Sequence, residues 1–73
     1  MISKTHFVNK IRELGYSYKS QHKRIDLWRK SNGTHFISVP RSDKLEDEFV
    51  IASLRQAGLS LEDIKAFIGV AKS

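Results

Sequence analysis

A chain of 73 residues with no cysteine and 40% apolar residues makes one small domain, burying only about 60% of the surface its unfolded form exposes. Disulfides, thiolate nucleophiles and Cys-built metal sites are excluded, so packing alone must hold the fold. Thirteen Lys and Arg stand against eight Asp and Glu, a formal net charge of +5 that suits a polyanionic partner.

Phe7, Val8, Ile11 and Leu14 recur at helical spacing, which predicts a first helix over 4–14, with Ser3 or Thr5 as its cap and Gly15 ending it in a left-handed turn. Tyr16-Ser17-Tyr18 alternates as a strand with one buried face does, predicting a short strand at about 16–20. Two further alternating runs, 23–30 and 34–39, flank the turn residues Ser31-Asn32-Gly33 and read as a hairpin. Opposed residues must share a face, so pairing can be used to choose the register. A two-residue loop at Asn32-Gly33 sets Ile25 opposite Pro40 and Leu27 opposite Ser38, a poor match for a core. A three-residue loop instead opposes Leu27 to Ile37, Ile25 to Val39 and Trp28 to Phe36, with Gly33 in the left-handed position. The expectation is therefore an aliphatic core face (25, 27, 37, 39) and a second face bearing His22, Arg24, Asp26, Trp28 and Phe36.

Pro40 closes the third strand because it cannot donate to a ladder. Ser42 or Asp43 is then placed to cap a helix with Glu46, Asp47 and Glu48 in its first turns, a buried stripe of Leu45, Phe49, Ile51 or Ala52, and Leu54, and its end at Gly58. Ser60-Leu61-Glu62-Asp63 resembles a capping box and starts a last helix at about 61–70. The predicted fold class is α+β over residues 1–73: helix, three-stranded antiparallel sheet, helix and a short extra C-terminal helix. Helices at both ends of a meander pack on one face of the sheet and leave the other to solvent.

Charge is distributed unevenly along this layout. Residues 1–41 hold nine basic and two acidic side chains, net +7, and residues 42–73 hold four and six, net −2. Around the hairpin, Lys19, Lys23, Arg24, Arg29, Lys30 and Arg41 offer cations to phosphates, and Trp28 offers a ring for base stacking. Their plainer reading is a soluble edge strand and a cross-strand aromatic pair with Phe36. No metal-ligand spacing joins His6, His22 and His35, and no glycine loop fits a nucleotide, so neither metal nor cofactor is expected. RNA cleavage by its own 2′-hydroxyl asks less: one group to move a proton and cations to stabilise phosphate charge. His22, beside Lys23-Arg24, is the candidate, against the plainer reading of a solvated loop histidine. Asp26 is about 13 Å along an extended strand, too far to orient it. Leu61, Ile64, Phe67 and Ile68 form either a partner surface or, more simply, packing against the preceding helix.

Val39-Pro40-Arg41-Ser42, the acidic helix start after it, and above all Leu54-Arg55-Gln56-Ala57-Gly58-Leu59-Ser60 with its acidic turn resemble the C-terminal half of HicA-type mRNA interferase toxins. The likeness runs from about Phe7 to Phe67. It implies a fold similar to the double-stranded-RNA-binding domain and a single catalytic histidine at the start of the second strand, for which Ser20-Gln21-His22 is the matching stretch. It further implies a toxin of a toxin-antitoxin system: a metal-independent endoribonuclease of messenger RNA, silenced by a HicB-type antitoxin covering the basic face. The alternative is a non-catalytic RNA- or DNA-binding module on the same scaffold. No membrane partner is expected: the runs 49–53 and 66–71 fall far short of the roughly 20 apolar residues of a span, and no signal-peptide pattern is present, which points to the cytoplasm.

Overall fold

The structure is a computed structural model that describes residues 1–33 and 35–72. Its elements are β1 (Ile2–Ser3), α1 (Lys4–Glu13), β2 (Tyr16–His22), β3 (Ile25–Lys30), β4 (Phe36–Pro40), β5 (Lys44–Leu45), α2 (Asp47–Gln56) and α3 (Leu61–Lys72). The fold is α+β, as the periodicities predict: β2, β3 and β4 form an antiparallel sheet in that order, and the helices complete the core. Thr34, where the expected third strand begins, lies outside the described residues.

The sequence pattern did not disclose the second sheet. Ile2 pairs with Leu45 and Ser3 with Lys44, which buries Ile2 and Leu45 completely or nearly so. This two-stranded clasp consumes residues expected to open α2, whose cap is Glu46 without a side-chain bond rather than Ser42 or Asp43. The Asp43 carbonyl instead accepts from the Lys4 N–H at 2.8 Å. Ser3 likewise precedes α1 without capping it through its side chain. At the other ends the local signals hold. Gly15 and Gly58 adopt positive φ, and the N–H groups of Gly58 and Leu59 donate to the carbonyls of Arg55 and Leu54, a Schellman motif that glycine makes free of Cβ strain. Ser60 Oγ accepts from the Asp63 N–H at 3.2 Å, half of the expected capping box. The last helix extends to Lys72 and is the longest of the three.

The hairpin register is a correction. Ile25 pairs with Pro40, Asp26 with Val39, Leu27 with Ser38, Trp28 with Ile37 and Arg29 with Phe36, the arrangement set aside above as a poor match for a core. The Lys30 N–H donates to the His35 carbonyl at 2.9 Å and Ser31 N–H to the Gly15 carbonyl at 2.8 Å, so Ser31 is drawn toward the α1–β2 turn and the three-residue loop does not form. Gly33 does take the left-handed conformation. The core face is consequently Tyr16, Trp28, Ile37 and Val39, packed with Phe7 and Ile11 of α1, Val50 and Leu54 of α2 and Ile64 of α3. Trp28 is only 5% exposed, with the Arg12 guanidinium 5.2 Å from its ring centroid and Tyr18 edge-on at 5.8 Å.

Indole area offsets the aliphatic pair that this register gives up, and contacts from outside the hairpin then tip the choice. Burying an aromatic side chain removes about 150–250 Å² from water, worth about 4–6 kcal/mol at 25 cal/mol/Å², a match for the roughly 3–6 kcal/mol that Ile25 and Leu27 together would provide on the opposite parity. Asp26 also comes to the helix side, and its carboxylate is held by Lys4 at 3.4 Å and Arg41 at 3.6 Å. An acid on the core parity is costly to bury unless it is paired. Cations 22 and 15 positions away supply the pairing.

α3 is fastened at its far end by Lys72, whose ammonium donates to Asp47 at the start of α2. That hydrogen bond holds the Asp47 carboxyl below the usual aspartate range. A depressed folded value stabilises above the unfolded one and is lost as pH falls through the folded one. Asp47→Asn should therefore melt lower than wild type near neutrality, with the two thermal midpoints converging in acid. For the register, Trp28→Ala is expected to cost about 3–5 kcal/mol in denaturant unfolding and Leu27→Ala about 1 kcal/mol, an order that the opposite register would reverse.

Candidate nucleic-acid interface

The solvent face of the sheet is built from three cross-strand rows. His22, Ile25 and Pro40 form one, Ser20, Leu27 and Ser38 the next, and Ser17, Arg29 and Phe36 the third. Its middle strand supplies half-buried Ile25 and Leu27, while Ser17, His22, Arg29, Phe36 and Ser38 are exposed. Phe36 is 44% exposed; it lies on the edge strand, where Phe36, Ile37 and Ser38 also border an open groove with Phe49, Ala52, Ser53 and Gln56 of α2.

His22 reaches this face through an irregularity. Tyr16 and Tyr18 pair with Lys30 and Trp28 on the helix side, and strict alternation would put Ser20 and His22 there too. The pairing shifts between Tyr18 and Ser20, leaving Lys19 as the extra residue of a β-bulge. Beyond the bulge, Ser20 opposes Leu27 and His22 opposes Ile25. The expectation that His22 faces solvent was met, but for a different reason: it was placed beside Trp28, which the structure puts on the other side of the sheet.

His22 closes β2 and does not open β3, the second strand of the main sheet. Ile25 occupies that opening position, directly opposite His22. The imidazole Nε2 is hydrogen-bonded to Ser20 Oγ at 2.9 Å, the partner two residues back on the same face. The Ser-x-His spacing on one strand face is the sequence signal for this contact. The nearest acid in sequence, Asp26, lies across the sheet plane and is engaged by Lys4 and Arg41.

The candidate cations divide between the two sides. Lys19 stands exposed at the bulge, Lys23 and Arg24 in the turn joining β2 to β3, and Arg29 on the open face. A Cβ on Gly33 would lie 2.8 Å from Arg29 Nη2, so the bare glycine backbone makes room for that guanidinium. Lys30 is on the helix side with its ammonium 5.7 Å from the Tyr16 ring centroid. Arg41 bridges structure: its guanidinium meets Asp26 and donates to the Lys23 carbonyl at 3.4 Å, and its N–H donates to the Arg24 carbonyl at 3.1 Å. Trp28 is core, so the stacking ring expected of it is absent from the open face and Phe36 stands there in its place.

The remaining histidines serve elsewhere. His35 Nδ1 is hydrogen-bonded to the Tyr16 hydroxyl, whose pKa burial raises, and His6 lines an open groove of about 560 Å³ between α1 and α3 with Lys10, Asp63 and Phe67. Of the residues considered as a partner surface, Ile64 is buried, Phe67 and Ile68 pack against the core, and Leu61 is exposed. Among the described residues no three His, Asp or Glu side chains converge as a metal site would require, and no helix is long and apolar enough to cross a membrane.

No protein-family model, curated protein or solved structure matches the chain. The site therefore rests on its own geometry. Releasing both cations from the sheet end by Asp26→Asn is expected to lower the thermal midpoint measurably, a loss of about 1–3 kcal/mol, while Lys23→Gln in the exposed turn should leave it within about 0.5 kcal/mol.

Proposed function

We propose that this protein binds RNA across the open face of the β2–β3–β4 sheet and cleaves it without a metal, His22 moving the proton. The observation that carries the reading is the placement of His22 and Arg29 on the side of the sheet opposite the helical core, in cross-strand rows about 13 Å apart, with the exposed turn cations Lys23 and Arg24 next to His22 in the chain. In the tautomer that donates Nε2–H to Ser20 Oγ, the imidazole lone pair is on Nδ1 and takes the proton of the 2′-hydroxyl. The 2′-oxygen attacks phosphorus, the P–O5′ bond breaks, and the leaving oxygen is protonated by the imidazolium or water, giving a cyclic phosphate and a 5′-hydroxyl. Arg24 and Lys23 stabilise the charge that builds on the phosphate. The resemblance to HicA-type toxins points the same way and names the regulator, a HicB-type antitoxin that would silence the protein by covering this face.

One observation favours a second reading, in which the chain binds RNA without cutting it. The resemblance places the catalytic histidine at the start of the second strand, and here that position is Ile25. The two readings separate on one substitution. His22→Gln is expected to reduce cleavage of a labelled RNA at least about a hundredfold while changing its affinity less than threefold; no cleavage by wild type, with binding intact, selects the second reading. Under either, RNA affinity falls with salt, and replacing Lys23 or Arg24 by Gln should flatten the plot of log K against log salt by about 0.7 each.

A further inference from the structure

We infer that Phe36 is a base-stacking platform with Arg29 as its phosphate-side neighbour, and that the sheet face consequently takes single-stranded RNA in preference to duplex. The inference rests on the RNA-binding reading above and adds the form of RNA and the residue that selects it.

Three features of the face lead here. Among the described residues Phe36 is the aromatic ring of the open face, 44% exposed at the start of β4. A ring left in water on a sheet surface lacks the burial that normally recommends it, and the face of a nucleobase supplies that burial. Arg29 stands directly opposite it in the ladder, close enough along the surface for a guanidinium to meet the phosphate of a base stacked on the ring.

The second feature is the apolar middle of the face. Ile25 and Leu27 on the central strand and Pro40 at its flank are each half-buried, and none can donate to phosphate. A duplex keeps its base faces inside the stack and presents phosphates, sugars and groove edges, so this strip gains nothing from it. A single strand can turn its base faces onto the strip.

The third is the placement of charge at the two ends. From the His22 row to the Phe36 row is four residues of β3, about 13 Å. Cations sit beyond one end, in the turn at Lys23 and Arg24, and at the other in Arg29. Cations bracketing an apolar floor match an extended backbone whose bases point inward at the sheet. Tyr18, the other well-exposed ring near the sheet, pairs with Trp28 on the helix side and is the internal control.

The test uses the full chain and a labelled oligouridylate bearing 2′-O-methyl groups, which cannot be cleaved, alone and annealed to oligoadenylate. Wild type should bind the single strand more tightly. Phe36→Ala should weaken single-strand binding about tenfold, leaving duplex affinity and the salt slope unchanged, and Tyr18→Ala should leave both affinities unchanged. Phe36→Trp should retain affinity, and its added emission should be quenched by the RNA, whereas the emission of buried Trp28 in wild type should not. Arg29→Gln should instead weaken both forms and flatten the salt slope by about 0.7 for the single strand. Equal binding by wild type and Phe36→Ala, or a wild-type preference for duplex, overturns the platform and leaves RNA binding standing. Failure of wild type to bind either form at low salt overturns the RNA reading and the platform with it.

Discussion

Burial of the Trp28 ring decides which way every other side chain of the sheet points. Strand residues alternate, so once the indole is inside, Ile25, Leu27 and Arg29 are outside, and their partners Pro40, Ser38 and Phe36 follow them. The ring is bought at a cost: its Nε1–H is buried without an acceptor, about 1–3 kcal/mol lost to desolvation. Against about 4–6 kcal/mol for the ring's area, the balance still favours burial. Asp26 is carried to the helix side by the same choice, and its pairing with Lys4 and Arg41 ties the start of α1 and the end of β4 to the middle strand.

That constraint also separates what the sequence makes legible from what it hides. The three helices follow from apolar spacing and from glycines at 15 and 58, because a helix is specified by contacts within a few residues; the start of α2 at Asp47 does not, since the clasp takes Lys44 and Leu45. Register is not local. The run from Lys23 to Lys30 offers two apolar parities, Ile25 with Leu27 or Trp28 alone, and alternation favours the pair. Only Arg12 over the indole, Lys4 and Arg41 on Asp26, and Gly15 holding Ser31 tip the choice, and all four come from outside the hairpin. The clasp of Ile2 with Leu45 is hidden for the same reason: two-residue strands carry no period to read.

The candidate site was legible in its residue types and illegible in its faces. His22 was placed on the open surface by supposing that it shares parity with Trp28; in fact the indole is inside and the Lys19 bulge turns His22 out. The inward parity of Trp28 and the bulge cancel. Nothing local announces the bulge, since Tyr-Ser-Tyr-Lys-Ser-Gln-His has neither glycine nor proline at the irregular position. The ladder itself places it, because β2 must keep Tyr16 in the core at one end and meet the Lys23-Arg24 turn at the other.

The same sorting applies to charge, and it changes what the basic half of the chain means. Net charge counts every cation equally, yet Lys4 and Arg41 neutralise Asp26, and Arg12 and Lys30 lie against the Trp28 and Tyr16 rings. Four of the nine basic side chains in 1–41 are thus engaged in structure: Lys4 and Arg12 hold α1 to the sheet, and Lys30 and Arg41 tie parts of the sheet to one another. Lys19, Lys23, Arg24 and Arg29 are the exposed ones gathered at the bulge, the turn and the open face. A polyanion would meet this smaller group together with the apolar floor of Ile25, Leu27 and Phe36, so its affinity would depend on contact with the bases as well as on attraction to the phosphates. A surface of that kind distinguishes among polyanions, which a field of +7 spread over half a chain does not.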